Sequence, residues 1–195
     1  MDWTKERIHG AVEAQREFFL RGETLSVDWR IRQLKRLRDA VKRHEGALLE
    51  ALAADLGRSE AEAYFCDIGS VILELNETIR GLRRWAGTEI RFSGFHCFPS
   101  LLTRVYKMPY GVCLIISPFN FPVLLSLGVL AAAIAGGNTA VLKTSSKSAA
   151  CTAALGELIR DTFPPEYVTL VEGGHGTADL CLEERFDKIF YTGSP

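Results

Sequence analysis

The feature that most constrains the fold is the alternation of short apolar runs with helical stretches in the second half of the chain. Four β-branched runs predict strands at 112–116, 139–143, 168–171 and 188–191. Helical patterns between them predict helices at about 122–135, 148–163 and 177–184. Strand, helix and strand at this spacing require right-handed crossovers and a parallel sheet. Such a sheet binds its ligands beyond the carboxyl ends of its strands.

The first half of the chain predicts helices, so the fold class is α/β. Four sets of apolar residues recur there at helical spacing. They are Ile8, Ala11, Val12, Phe18 and Phe19; Ile31, Leu34, Leu37 and Val41; Leu48, Leu49, Leu52 and Leu56; and Phe65, Ile68, Ile72, Leu75, Ile79, Leu82 and Trp85. We therefore expect a helical part at 1–87, a loop or irregular strand at 88–107, where the periodicity fails, and the sheet from 108 to 195.

Charge and cysteine usage exclude several kinds of protein. The 195 residues carry a net charge of −1, so we expect no nucleic-acid partner, which would need a surplus of basic residues. The N-terminus carries charges within its first seven residues and has no apolar run like that of a signal peptide, so we expect no secretory signal. Five cysteines without C-x-x-C spacing and four scattered histidines predict neither a disulfide framework nor a metal site. Reduced thiols fit a cytoplasmic protein.

One apolar stretch, at 123–142, has the length of a membrane span. Serine, glycine, asparagine and threonine residues interrupt it. We therefore expect a buried helix, a Gly-Gly-Asn break and a buried strand, and no transmembrane segment.

Four turns that follow the predicted strands are rich in small or polar residues. They lie at 117–120, 144–146, 172–176 and 192–194. Their N–H groups and hydroxyls suit a phosphate-bearing ligand near helix N-termini. No G-x-G-x-x-G motif follows any strand; GGHG at 173–176 comes nearest, and a glycine-lined turn explains it more simply.

Asn120 stands in the first of these turns, within IISPFNFPVLLSL. From the residues alone, two interpretations remain open. Asparagine is common in Asx turns and at helix N-caps, and its side-chain amide is also a neutral hydrogen-bond donor for a ligand.

Four segments, in register along essentially the whole chain, resemble those of one enzyme family. They are ALAADLGRSEAEAY (51–64), MPYGVCLIISPFNFP (108–122), GNTAVLKTSS (137–146) and FDKIFYTGS (186–194). Together they resemble the NAD(P)-dependent aldehyde dehydrogenases, especially the dimeric class 3-like branch that acts on fatty or aromatic aldehydes. The resemblance implies N-terminal helices and then the first part of a Rossmann-like cofactor-binding domain. It places 88–107 in an oligomerisation region and implies a homodimer.

The resemblance also implies roles for individual residues. Asn120 would donate its amide to the oxygen of the aldehyde substrate as that oxygen gains negative charge. Lys143 would reach the ribose hydroxyls or the adenosine-side phosphate of a nicotinamide dinucleotide, although a lysine at a strand end is also explained by simple exposure to solvent. The cofactor-binding residues would be Ile116, Ser117, Pro118, Phe119, Lys143, Ser145, Ser146, Gly174, Tyr191, Thr192, Gly193 and Ser194.

Three residues of the cofactor turns, Phe119, Thr144 and Ser146, depart from the family pattern. The family's K-P-S-E is K-T-S-S at 143–146, so Ser146 replaces a glutamate that accepts hydrogen bonds from the ribose. A 2′-phosphate would no longer meet a carboxylate there, and we therefore expect NADP to be tolerated alongside NAD or above it. Phe119 replaces a tryptophan, which is a mild apolar change.

Two catalytic segments of the family have no counterpart in this sequence. The family's general-base glutamate and nucleophilic cysteine follow the segment that resembles 186–194, and none of the five cysteines lies in a matching context. We therefore expect a truncated, N-terminal portion that lacks the catalytic domain. The parent protein would oxidise an aldehyde to a carboxylic acid through a cysteine thiohemiacetal, and this chain alone would be inactive. The alternative is a non-catalytic module for nucleotide binding or subunit association.

Overall fold

The first half of the chain is helical. The computed structural model describes residues 3–193. Helices α1 (Lys5–Leu20), α2 (Val27–Arg43) and α3 (Glu45–Leu56) are followed by a nearly continuous helical stretch. That stretch consists of α4 (Glu60–Ala63), a π-helical turn (Tyr64–Ile68) and α5 (Gly69–Trp85). Thr4, Ser26 and Ser59 cap α1, α2 and α4 by accepting a backbone N–H, as serine and threonine do at helix N-termini.

Strands and helices alternate in the second half, as the sequence predicts. An antiparallel pair, β1 (Glu89–Phe92) and β2 (Leu102–Val105), precedes the main sheet. The main sheet contains β3 (Val112–Ile116), β4 (Thr139–Lys143), β5 (Val168–Val171) and β6 (Lys188–Tyr191). The connecting helices are α6 (Leu124–Gly136), α7 (Ala149–Thr162) and α8 (His175–Leu182). The four predicted strands are confirmed at the predicted residues.

The main sheet is parallel, with the order β5-β4-β3-β6. Ile116 pairs with both Lys143 and Tyr191, and Lys143 pairs with Val171. This register brings the carboxyl ends of all four strands to one edge. The α/β class with N-terminal helices and a parallel Rossmann-like sheet is confirmed.

Helices cover the sheet on both faces, which explains why its central strands are continuous apolar runs. Ile115 and Leu142 face the larger core, to which α2, α3, α5, α6 and α7 contribute. Leu114 and Val141 face the opposite side and pack with Ile8, Val12 and Cys181 of α1 and α8. This alternation follows from the two-residue period of a strand.

Ion pairs reinforce the contact of α1 with the end of the chain. Lys5 Nζ lies 2.7 Å from Glu183 Oε2, and Arg16 Nη1 lies 3.1 Å from Asp187 Oδ2. Helix α1 is therefore held against residues that lie some 170 positions later in the chain.

The predicted apolar stripe along the fourth helical stretch is wrong at its two ends. Phe65 is 76% exposed and Trp85 is 44% exposed, whereas Ile68 and Leu75 are fully buried. Phe65 lies in the π-helical turn, which accommodates an additional residue and so turns this side chain away from the face of Ile68. Trp85 is the last residue of α5, at the edge of the packed layer.

The segment at 88–107 is more regular than expected, because β1 and β2 form an antiparallel pair. Its side chains are largely exposed, including several large apolar ones. These are Ile90, Phe92, Phe95, Phe98, Leu102, Val105 and Tyr106.

The apolar stretch at 123–142 divides as predicted. It forms the whole of α6, then a break with Gly137 at φ 88°, and then most of β4. Among residues 3–193, no helix is both long enough and apolar enough to cross a bilayer.

Candidate functional site

A cavity of about 560 Å³ lies at the carboxyl edge of the sheet, where the turns after β3, β4, β5 and β6 converge. Eleven of the twelve predicted cofactor-binding residues line it. They are Ile116, Ser117, Pro118, Phe119, Lys143, Ser145, Ser146, Gly174, Tyr191, Thr192 and Gly193. The twelfth, Ser194, lies outside the described residues. The structure therefore brings the predicted set together, while its cofactor role stays a prediction.

Lys143 is the buried cation of this cavity. Its side chain ends β4 and the residue is only 3% exposed, so the alternative of a solvent-exposed lysine is wrong. Its Nζ donates to the carbonyl oxygens of Thr144 and Gly173, each at 2.7 Å. Burial lowers the pKa of Lys143. Because an ammonium group has three N–H donors, one remains for a ligand.

The turn after β4 is held by its own serines. Ser145 Oγ accepts from the Lys147 N–H at 3.3 Å, and Ser148 Oγ donates to the Ser145 carbonyl at 3.2 Å. These bonds leave Ser146 exposed at the cavity. Lys147 lies beside it, with Nζ 5.2 Å from the centroid of the Phe119 ring. The rim of the cavity therefore carries two chemically different groups, the hydroxyl of Ser146 and the ammonium group of Lys147.

The turn after β5 requires glycine. Gly173 has φ 136°, in the left-handed region, and a Cβ there would collide with Thr177. Its carbonyl is one of the two that hold Lys143. Gly174 and His175 follow at the start of α8 and line the cavity. Because Gly173 and Gly174 carry no side chains, the backbone before α8 lets a ligand approach the helix N-terminus closely.

Ser117 is an anchor of the turn after β3. Its Oγ lies 2.6 Å from Ser126 Oγ in α6, and its N–H donates to the Lys143 carbonyl at 3.1 Å. The residue is buried. Its hydroxyl is thus engaged with the protein, and the turn presents backbone and neighbouring side chains to the cavity.

Asn120 lies in the same turn with an exposed side chain, outside the set of residues that line the 560 Å³ cavity. Its neighbour Phe119 does line that cavity. Interpreting Asn120 as the cap of α6 is wrong, because Asp67 accepts the N–H groups of Val123 and Leu124. The oxyanion role of its amide stays a prediction.

A buried ion pair beneath this turn was missed by the sequence reasoning. Arg58 Nη1 donates to Asp67 Oδ2, and Arg58 Nη2 donates to the Asn120 carbonyl at 2.8 Å. Burial raises the pKa of Asp67, an effect opposed by the Leu124 N–H and by Arg58. The sequence carries no signal for this pair, because Arg58 and Asp67 lie nine residues apart and neither belongs to an apolar pattern that would show which surface it contacts.

The thiols near the sheet are buried rather than activated. Burial raises the pKa of Cys113 and of Cys181 to about 11. A thiol is nucleophilic as the thiolate, so these two are poor nucleophiles near neutral pH. Within residues 3–193, no group of three or more His, Cys, Asp or Glu side chains is placed to hold a metal ion.

The parallel sheet, the glycine turn at a helix start and the buried lysine define a Rossmann-like α/β protein with its ligand cavity at the carboxyl edge. A match to the aldehyde dehydrogenase family extends over residues 1–195. The chain belongs to the aldehyde dehydrogenase family.

Individual relatives agree with this assignment. The chain is 35% identical to aldehyde dehydrogenase family 3 member F1 of Arabidopsis thaliana, over 100% of this chain and 40% of the relative. It is 33% identical to a rat (Rattus norvegicus) protein named aldehyde dehydrogenase, dimeric NADP-preferring, over 96% of this chain and 41% of the relative. The predicted resemblance to the class 3-like branch is confirmed.

A solved structure shows the same backbone. The substrate-bound state of Staphylococcus aureus AldH superposes with a TM-score of 0.94 at 35% identity, covering 96% of this chain and 41% of that one. The chain thus spans about 40% of the length of the relatives that it matches.

Proposed function

We propose that a polypeptide containing this chain oxidises an aldehyde to a carboxylic acid with a nicotinamide dinucleotide. The observation that carries the proposal is the convergence of eleven predicted cofactor-binding residues on one cavity in a member of this family. In this proposal, the chain supplies the cofactor cavity and the Asn120 amide. The nucleophilic cysteine and the general base come from residues that match no segment of this sequence, so the chain alone is inactive. The 40% coverage of its relatives supports this division.

The residues present fit a dinucleotide. Lys143 keeps one N–H for a ribose hydroxyl or a phosphate, because two carbonyls already hold its other two donors. Gly174 leaves the start of α8 open to a phosphate group. When bound, the dinucleotide supplies the nicotinamide ring that accepts a hydride.

Asn120 contributes a neutral donor to the proposed reaction. When a thiolate adds to an aldehyde, the carbonyl oxygen becomes an alkoxide. An amide N–H stabilises that charge without titrating, whereas an ionised aspartate has no donor. Losing one such donor typically lowers the rate by about 10²–10³-fold.

NADP is expected to bind as well as NAD, or better. Ser146 removes a carboxylate from the cavity rim, and Lys147 beside it adds a positive charge there. The rat relative carries the name NADP-preferring, which supports the same choice.

We also propose a homodimer in the cytoplasm. The exposed apolar side chains of 88–107 and the word dimeric in the rat relative's name support the dimer. Five unpaired cysteines support a reducing compartment.

An absorbance assay tests the reaction. NAD(P)H formation with an aldehyde is measured on this chain and on the longer polypeptide that contains it. We expect activity only in the longer polypeptide and a roughly 10²–10³-fold lower kcat in its Asn120→Asp variant. Asn76→Asp, on α5, is the matched control and keeps its activity. Dinucleotide binding without any aldehyde-dependent reduction in the longer polypeptide would instead favour the non-catalytic module.

A titration of Ser146→Glu tests the cofactor preference. A carboxylate about 4 Å from a phosphate carrying nearly two charges costs about 2 kcal/mol in water, which weakens NADP⁺ roughly 30-fold. NAD⁺ lacks the 2′-phosphate, and its ribose hydroxyls can donate to the new carboxylate, so its affinity stays the same or rises. Equal weakening of both dinucleotides would contradict the proposed place of the 2′-phosphate.

A further inference from the structure

The turn that carries Asn120 is held at both ends by one buried ion pair. At the far end, Asp67 Oδ1 accepts the N–H of Val123 at 3.1 Å and that of Leu124 at 2.7 Å. At the near end, Arg58 Nη2 donates to the Asn120 carbonyl at 2.8 Å. Arg58 Nη1 and Asp67 Oδ2 join the two ends through a direct hydrogen bond. The backbone from 120 to 124 is therefore fixed by one connected set of contacts.

The shape of Arg58 suits this double role. A guanidinium group is a planar fork, so its two outer nitrogens reach a carboxylate and a carbonyl at the same time. The guanidinium carbon also lies 4.7 Å from the centroid of the Phe121 ring, which packs the turn from a third side. A lysine offers one compact ammonium group and cannot span the same contacts.

The position of Asp67 depends on an irregular helix. It lies in the π-helical turn Tyr64–Ile68, between α4 and α5, and its side chain is 0% exposed. The N-cap residue of α6, Val123, makes no side-chain cap bond. A carboxylate from a residue 56 positions earlier in the chain takes that place, where it also meets the positive end of the helix dipole.

Stability alone is a weak reason to bury this pair. Removing two charges from water costs free energy that their attraction only partly returns, and apolar residues of similar volume often serve as well. The pair is better explained by its effect on geometry, because it fixes the backbone of a turn whose Asn120 side chain is exposed.

We propose that Arg58 and Asp67 are positioning residues that fix the direction of the Asn120 amide. The proposal rests on the proposed function, in which that amide stabilises the oxyanion. Neither residue touches the substrate in this proposal; each acts through its hydrogen bonds to the backbone of the turn.

The first test measures the turn itself in the 195-residue chain. Arg58→Lys keeps the charge beside Asp67 but loses the fork. We expect faster amide hydrogen exchange at Val123 and Leu124. In NMR spectra, the chemical shifts of the Asn120 side-chain NH₂ should move toward those of a freely rotating asparagine side chain. Arg30→Lys is the matched control, because Arg30 is a buried arginine that donates to three carbonyls elsewhere, those of Thr24, Leu25 and Ala135. Unchanged exchange and resonances in Arg58→Lys would overturn the proposal.

The second test is a double-mutant cycle in the longer polypeptide. We expect Arg58→Lys to lower kcat by about 10–100-fold with an unchanged KM for the dinucleotide, and to add no loss in the Asn120→Ala background. A merely structural role would give additive losses, or an equal loss in Arg30→Lys, and either result overturns the proposal. If the unsubstituted polypeptide reduces no dinucleotide, the proposed function fails, while the exchange data still decide whether the pair fixes the turn.

Discussion

Replacing Lys143 by methionine separates ligand binding from stability. Methionine keeps an unbranched apolar stem but removes the ammonium group. In the native chain, that group donates to two carbonyls at 2.7 Å and keeps a third N–H for the cavity. The substitution therefore removes the proposed contact to the ligand and two hydrogen bonds within the protein.

The two effects on stability oppose each other. Each carbonyl left without a partner costs about 1–3 kcal/mol, or about 2–6 kcal/mol together. Removing a buried charge returns several kcal/mol of desolvation penalty. We therefore expect the free energy of unfolding to change by less than about 2 kcal/mol.

The loss of ligand affinity, by contrast, has no opposing term. A hydrogen bond to a charged donor contributes about 1.5–3 kcal/mol, which is a factor of roughly 10–150 in Kd. Isothermal titration calorimetry with NADP⁺ measures that factor, and urea unfolding measures stability. Lys42→Met, on the exposed face of α2, is the control. An unchanged Kd in Lys143→Met would refute the assignment of its third N–H to the ligand.

Three further outcomes follow from the packing and the charges. Leu114→Ala, in a fully buried strand position, should cost about 2–5 kcal/mol in urea unfolding; a loss under 1 kcal/mol would contradict a tightly packed second core. Cys113, whose pKa burial raises to about 11, should react with iodoacetamide at pH 8 much more slowly than free cysteine, as mass spectrometry would show. Hydrogen bonds from Arg91 and then Lys107 lower the pKa of Glu89 from 4.5 to about 2. The stabilisation from Glu89 should thus be complete above pH 4.5 and lost as the pH falls toward 2, and carboxyl NMR shifts that instead titrate near 4.5 would contradict it.

The sequence predicted β3, β4 and β5 well because these strands are buried on both faces. Leu114 and Val141 belong to uninterrupted apolar runs, which only a covered parallel strand tolerates. The convergence of Lys143 and Tyr191 then followed from topology, since parallel strands end at one edge.

The misses share a physical cause, which is dependence on contacts distant in sequence. Nothing local to Asp67 shows that it accepts the N–H groups that begin α6. Periodicity assumes a regular helix, so it placed Phe65 on a buried face that the π-helical turn removes. The burial of Lys143 could not be predicted from its neighbours, because a strand-end lysine carries no signal of burial.

The packing of α1 has a consequence for folding during synthesis. Ile8 and Val12 pack on Leu114, Val141 and Cys181, so their docking surface does not exist until α8 has been synthesised. At about 5–20 residues per second, a ribosome needs roughly 10–35 s to extend the chain that far. During that interval, α1 leaves the exit tunnel with its apolar face exposed to solvent. A chaperone that binds exposed apolar segments can bind it then.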